Sequence, residues 1–287
     1  MPRTNLSSTT ASTAASSNPD LPPPGELCAI HQPNFFPRLT TLAKLFAADY
    51  WIILDDVQFT RRDYQHRTRL AVLDDPYRRQ WLTIPTHLPH GRRTAVREAL
   101  IADPVRSRRR VAQMLPQYYG ASPHWPALRG ELAVVLDLFE TNDKTAEVAE
   151  ASTRLLLDLL GWRGQILRSS RLPARQGRSQ RLADLTEATG ARSYLCGTGG
   201  MKYLKTECFD AIGVGVIPFR TPASGIWVHG RENSALNALM RGGLERTGYE
   251  LLAVAARYRA VTRWGGSGRA SCSAGPAGRR SDRPGPR

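Results

Sequence analysis

Apolar residues come in short bursts along this chain, separated by polar loops. Leu27-Cys-Ala-Ile30 follows a Pro/Gly stretch and reads as a buried strand. The loop from His31 to Pro37 should stay extended, because Pro33 and Pro37 fix their own φ and restrain the residue before them. Leu39, Leu42, Leu45 and Phe46 then share one helical face and predict a helix over about 39–48. Tyr50-Trp-Ile-Ile-Leu54 is a second buried strand. Strand, loop, helix and strand within about 30 residues is the signature of a parallel α/β unit.

The pattern then changes. Residues 67–72 and 80–86 predict two strands joined at Asp74-Asp75-Pro76-Tyr77, where Asp starts a turn and Pro presets φ. Residues 104–160 repeat apolar positions at helical spacing, up to Gly161. Short strands follow at 165–168, 193–196 and 214–219, with helices at 179–189, capped by Ser179, at about 201–212 and at 233–240. The predicted fold class is α/β, a mostly parallel sheet with flanking helices and a helical insertion at about 104–160. Residues 26–245 form the domain.

Composition changes the picture mainly at the ends. Residues 1–25 are rich in Ser, Thr, Ala and Pro and lack the apolar stretch of a secretory signal, so they read as a disordered extension. No apolar run approaches a membrane span, and a cytoplasmic location is expected. Of the net charge of +15, residues 246–287 supply seven, from nine arginines against two acidic residues. This Gly/Ser/Pro-rich stretch reads as a basic, mostly disordered tail. Arg279, Arg280 and Arg283 would touch nucleic acid only non-specifically. Four cysteines without paired spacing carry no zinc signature, and Cys28 and Cys196 read as small core residues.

The candidate chemistry gathers near the first two strands. His31 ends a strand, where open α/β sheets place their ligands. With Gln32 and Asn34 beside a helix start, it is placed to meet an anion, as proton donor, acceptor or clamp. The alternative is a loop histidine packed under Phe35 and Phe36. Asp55 and Asp56 end the second strand: one of them is a Mg²⁺ ligand or general base, or both serve as turn caps or ion-pair partners of Arg61 or Arg62. Arg61, Arg62, Gln65, His66, Arg67 and Arg69 form a candidate anion clamp. Gln65, Arg67 and Arg69 share one strand face, and His66 and Thr68 the other. A charged edge strand that deters aggregation would look the same. Gly197-Thr-Gly-Gly200 joins a strand to a helix bearing Lys202 and Tyr203. It is either a phosphate-approaching loop or a tight turn.

His31-Gln-Pro-Asn-Phe-Phe-Pro37, Leu54-Asp-Asp-Val-Gln-Phe59 and Tyr194-Leu-Cys-Gly-Thr-Gly-Gly-Met-Lys-Tyr203 together resemble the WbqC-like family, over roughly residues 27–220. The resemblance implies a role in surface-polysaccharide (O-antigen-type) or related amino-sugar and natural-product assembly, as a transferase and, in some members, through glycine transfer to an amino sugar. It implies substrate-binding roles for Gln58, Arg61, Gln65, Arg67 and Arg69, and makes the Gly197–Tyr203 segment a second motif. Gly197, Gly199, Gly200 and Tyr203 would bind substrate, and His31 and Asp56 would be catalytic. The partner would be an anionic small molecule, a sugar nucleotide or acyl donor. Non-catalytic sugar-nucleotide binding or scaffolding, and nucleotidyl transfer, use the same residue types. The two motifs, both at strand ends, should line one crevice.

Overall fold

Every apolar burst assigned to the parallel sheet is a strand in the computed structural model, which describes residues 26–265. The expected N-terminal extension, Cys272 and the arginines beyond residue 265 lie outside the described residues. The first half of the chain runs β1 (Leu27–His31), α1 (Leu39–Ala47), β2 (Tyr50–Ile53), β3 (Arg67–Ala71), β4 (Arg79–Thr83), β5 (Thr86–His87) and β6 (Leu100–Ile101). Four helices follow: α2 (Pro104–Tyr119), α3 (Trp125–Glu131), α4 (Ala133–Thr141) and α5 (Thr145–Leu159). The chain returns to the sheet through β7 (Gln165–Arg168), α6 (Arg178–Glu187), β8 (Ser193–Gly197), α7 (Thr198–Met201), α8 (Glu207–Asp210) and β9 (Gly215–Phe219), and ends in α9 (Ala235–Gly265).

The sheet order is β7-β2-β1-β8-β9, with every pair parallel. Alternation along the strands separates two cores. Leu27, Ala29, Trp51, Ile53 and Leu195 pack on the side of α1, α5 and α9. Cys28, Ile30, Tyr50, Ile52, Tyr194 and Cys196 pack against Ala183, Leu185 and Phe209, from α6 and α8. Cys28 and Cys196 are thus core residues, as expected, and burial pushes the Cys28 thiol up to about 12. From β1 the chain moves to β2 on one side, while β8 and β9 fill the other. The connection therefore reverses between β1 and β8, and such a switch point leaves a crevice at the strands' C-terminal ends.

The loop entering α1 is locked from three directions. Phe36 is fully buried with φ 42°, a left-handed conformation that costs about 1–2 kcal/mol for a residue with a Cβ. Its N–H donates to Ser152 of α5, and its carbonyl accepts from Thr68 of β3 and from Ser234 just before α9. The hairpin β3–β4 and α5 thereby fix where α1 begins. The Asp75 carboxylate accepts from the N–H groups of Tyr77 and Arg78, so the turn chemistry read from the sequence is present.

Three expectations need correction. Residues 246–265 are not tail: α9 continues to Gly265, broken only at Gly243 (φ 80°), and Leu251, Val254 and Ala255 are buried. Apolar positions every three to four residues supply the driving force that the Arg count obscured. The helix expected over about 201–212 is two single turns, α7 and α8, with Tyr203 between them. Ser179 does not cap α6; Gly177 stands at its N-cap, and the Ser179 hydroxyl accepts from the Lys205 N–H. Among the described residues no helix is long and apolar enough to cross a membrane.

Candidate functional site

A crevice of about 450 Å³ opens at the C-terminal ends of β1, β8 and β9, where the sheet order reverses. His31 and Gln32, at the end of β1, line it together with Gly197, Thr198, Gly199 and Gly200 at the end of the neighbouring β8. The two sequence motifs thus meet. Gly200 has no room for a side chain, because a Cβ there would lie 2.8 Å from the Cys196 Sγ. Thr40 and Thr41 of α1, and Lys44 one helical turn beyond them, also line the crevice. Arg38, Arg178, Arg220 and Arg231 stand around the rim with a single carboxylate, Asp63.

His31 is held in one orientation. Its Nδ1 lies 2.8 Å from the Gln32 carbonyl oxygen, so that nitrogen carries the proton and Nε2 is left as acceptor. Its own carbonyl accepts from the Leu54 N–H and from the Trp51 indole. Burial, with the charges of Lys44 and Arg38 adding to it, lowers the imidazole pKa to about 3. The ring is therefore neutral at physiological pH. Lys44 is 5% exposed and donates to the Ile30 carbonyl at 3.1 Å. Burial brings its amine down to about 8.

Gln65 stands behind the wall. It donates to the Gln32 side chain at 2.7 Å and accepts from the Thr60 N–H, so it orients Gln32 without reaching the crevice. Arg67 and Arg69 do share a strand face, but that face carries Trp81. Both guanidinia stack on its ring, at 4.3 and 4.6 Å, because β3–β4 pairing sets Arg69 opposite Trp81. Arg67 also donates to the carbonyls of Asp63 and Arg62. The expected two-arginine clamp is thus a stacked pair outside the crevice lining. Arg61 is exposed and reaches the Thr86 carbonyl; Gln58 is exposed in a bridge to Ala95. His66 is buried against Phe59 on the opposite face, as the alternation predicted, with its pKa lowered to about 4 by burial first and by Arg67 and Arg61 next. Asn34 is buried, and its backbone carbonyl accepts from the Thr153 hydroxyl. Tyr203 is exposed, with Arg178 stacked 4.9 Å from its ring centroid.

The two acidic residues at the end of β2 are engaged elsewhere. Asp55 is buried and accepts from both hydroxyls of Ser169 and Ser170 and from the Ser170 N–H. Asp56 pairs with Arg181 and shares the single Ser169 hydroxyl proton with Asp55, from the shorter distance of 2.6 Å. Carboxylates surrounded by donors and a guanidinium do not suit a Mg²⁺ ion, which needs oxygen ligands. Among the described residues no group of three His, Cys, Asp or Glu side chains is arranged to hold a metal.

Sequence reasoning missed Arg38, Thr40, Thr41, Lys44, Arg178, Arg220 and Arg231. One signal was available. Thr40, Thr41 and Lys44 are the polar residues of an otherwise apolar helix and fall on one stripe.

An α/β protein with a cationic crevice at the switch point of its sheet is the class that fold and site define. The chain belongs to the WbqC-like protein family, whose sequence model matches residues 32–223. That span holds the whole crevice lining except Ile30, His31 and Arg231. It is similar to the uncharacterized protein Rv1507c of Mycobacterium tuberculosis, with 25% identity over 193 residues, 67% of this chain and 80% of the relative. No solved structure matches the chain.

Proposed function

We propose that this protein is a transferase for a phosphate-bearing small molecule of the sugar-nucleotide kind, acting in surface-polysaccharide or related amino-sugar assembly. The observation that carries the reading is the convergence of a neutral, oriented His31 with Lys44 and four arginines in one crevice. Guanidinium groups and a glycine-lined loop suit phosphate oxygens. The His31 Nε2 lone pair would accept the proton of an attacking amine or hydroxyl, such as the amine of an amino sugar that takes the acyl or glycyl group of an activated acyl donor, whose bond to its leaving group breaks as the new C–N bond forms and whose leaving group departs with the electron pair. Bound phosphate would raise the His31 pKa from about 3 toward the working pH and balance the positive charge formed there.

A second reading, sugar-nucleotide binding without chemistry, is favoured by the placement of Asp56, whose pairing with Arg181 removes one candidate base. One experiment separates the two. Calorimetry against a panel of uridine, guanosine and thymidine diphosphate sugars should find a saturable ligand. His31→Ala should retain that binding while lowering turnover about 10²–10⁴-fold, the range for a general acid or base. Binding with no turnover in the wild type, across amine acceptors, leaves the binding protein. No binding across the panel rejects both.

A further inference from the structure

We propose that Lys44 is the anchor for a phosphate group of the ligand, with Thr40 and Thr41 on the same face of α1 completing the subsite. The inference rests on the transferase reading only for the location of the site, and names which residues hold the anion there.

A lysine in the middle of an apolar helix normally sends its amine to water. Lys44 does not: it is buried, and among the described residues its amine donates to a neutral carbonyl, that of Ile30. Burying a cation without a counter-ion is costly, and proteins usually avoid it by pairing or by losing the charge. The titratable groups acting on this amine are His31, Cys28 and Cys196, with Arg38, Tyr194, Arg178, Arg220 and Arg231 lining the same crevice. None is a carboxylate, and Asp63 is the sole acid in the lining. Among the described residues, the ion pairs leave Lys44 and all four arginines without a carboxylate partner. Burial depresses the amine titration, and no carboxylate stands beside it to offset that.

The missing counter-ion is what a ligand supplies. Five cations against one acid exceed what a single carboxylate neutralises, and match a phosphate or diphosphate with its two or more charges. The hydroxyls of Thr40 and Thr41 add donors beside the amine, at the first turn of a helix, where negative charge is favoured.

The test uses the full chain and inorganic pyrophosphate. Carbon-13 labelling of the lysine ε-position lets NMR follow the Lys44 titration directly, assigned by its loss in Lys44→Met. Millimolar pyrophosphate should bind saturably and raise the Lys44 titration midpoint from about 8 toward the ordinary lysine value. Lys44→Met should weaken pyrophosphate at least about tenfold, as for loss of a charge-assisted contact. Should that variant fail to fold, Lys44→Arg supplies the assignment, and Thr41→Val, expected to weaken pyrophosphate severalfold, carries the test together with the wild-type titration; unchanged affinity in Thr41→Val removes Thr41 from the subsite. Saturable pyrophosphate binding that leaves the Lys44 midpoint in place overturns the proposal, as does absence of saturable binding. Acetate moving the midpoint as far as pyrophosphate overturns the phosphate assignment. Pyrophosphate binding at Lys44 with no turnover of any sugar nucleotide sinks the transferase reading and leaves this one standing. Turnover with an unmoved Lys44 does the reverse.

Discussion

Three titratable side chains record how far burial moves charge in this protein, and each has its own pH window. His31 and His66 hold folded pKa values of about 3 and about 4, below the ordinary 6.5. Between those limits the unfolded chain binds protons that the folded chain refuses, so stability falls as pH drops from 6.5 toward 4. A tenfold change in an acid constant corresponds to about 1.4 kcal/mol, so His66 contributes on the order of a few kcal/mol to this slope. His66→Gln should flatten the fall in Tm between pH 6.5 and 4; an undiminished slope would mean that the ring is solvated. Lys44 acts at the other end. Its folded pKa of about 8 lies below the ordinary 10.5, so the folded chain releases a proton first and stability rises as pH goes from 8 to 10.5. Lys44→Met should abolish that rise and melt no lower than the wild type at pH 7. Residue identity made His31 legible in the sequence. Lys44 was hidden because leucine spacing reads a helix's apolar face, not where the residue between the leucines ends.

At the scale of elements, local pattern carried the assignment where strands are short and wholly apolar, and failed where pairing decides. Alternation put Arg67 and Arg69 on one face of β3, and they are there; what that face meets, Trp81, depends on the register of β3 with β4, which no local pattern contains. Asp55 and Asp56 look like ligands until β7 delivers Ser169 and Ser170 beside them, from more than a hundred residues away. The β8–α7 junction is the reverse case, since its glycines announce close approach. Gly200→Ala would force a Cβ to within 2.8 Å of the Cys196 Sγ. Overpacking of this kind costs about 1–3 kcal/mol. Gly200→Ala should therefore lower the denaturation midpoint, and adding Cys196→Ala should restore most of it. A destabilisation that Cys196→Ala leaves untouched would place the strain in the backbone of the loop instead.

The whole molecule ties its last helix to its crevice. Beyond Gly243, α9 buries Leu251, Val254 and Ala255 in the same core that α1 enters. Further along, the Tyr258 hydroxyl accepts from the Arg220 N–H at 2.6 Å and donates to the Arg220 carbonyl at 2.8 Å, while its ring stacks on Phe219 at 4.8 Å. Phe219 and Arg220 line the crevice, so a helix outside the matched family span braces a wall of the site. Composition concealed this, because nine arginines in residues 246–287 suggested one uniform tail where a packed helix comes first. The consequence is a graded response to truncation. A chain ending at residue 265 should keep the melting temperature and ligand binding of the full chain. A chain ending at residue 245 loses the buried Leu251 and Val254, each worth about 1.5–3 kcal/mol when fully buried, and should melt far lower or fail to fold. Tyr258→Phe separates the two roles of the helix. It keeps the ring on Phe219 and removes both hydrogen bonds to Arg220, so it should weaken pyrophosphate binding with little change in Tm. Equal pyrophosphate affinity in Tyr258→Phe and wild type would show that Arg220 needs no brace, and that the helix serves the core alone.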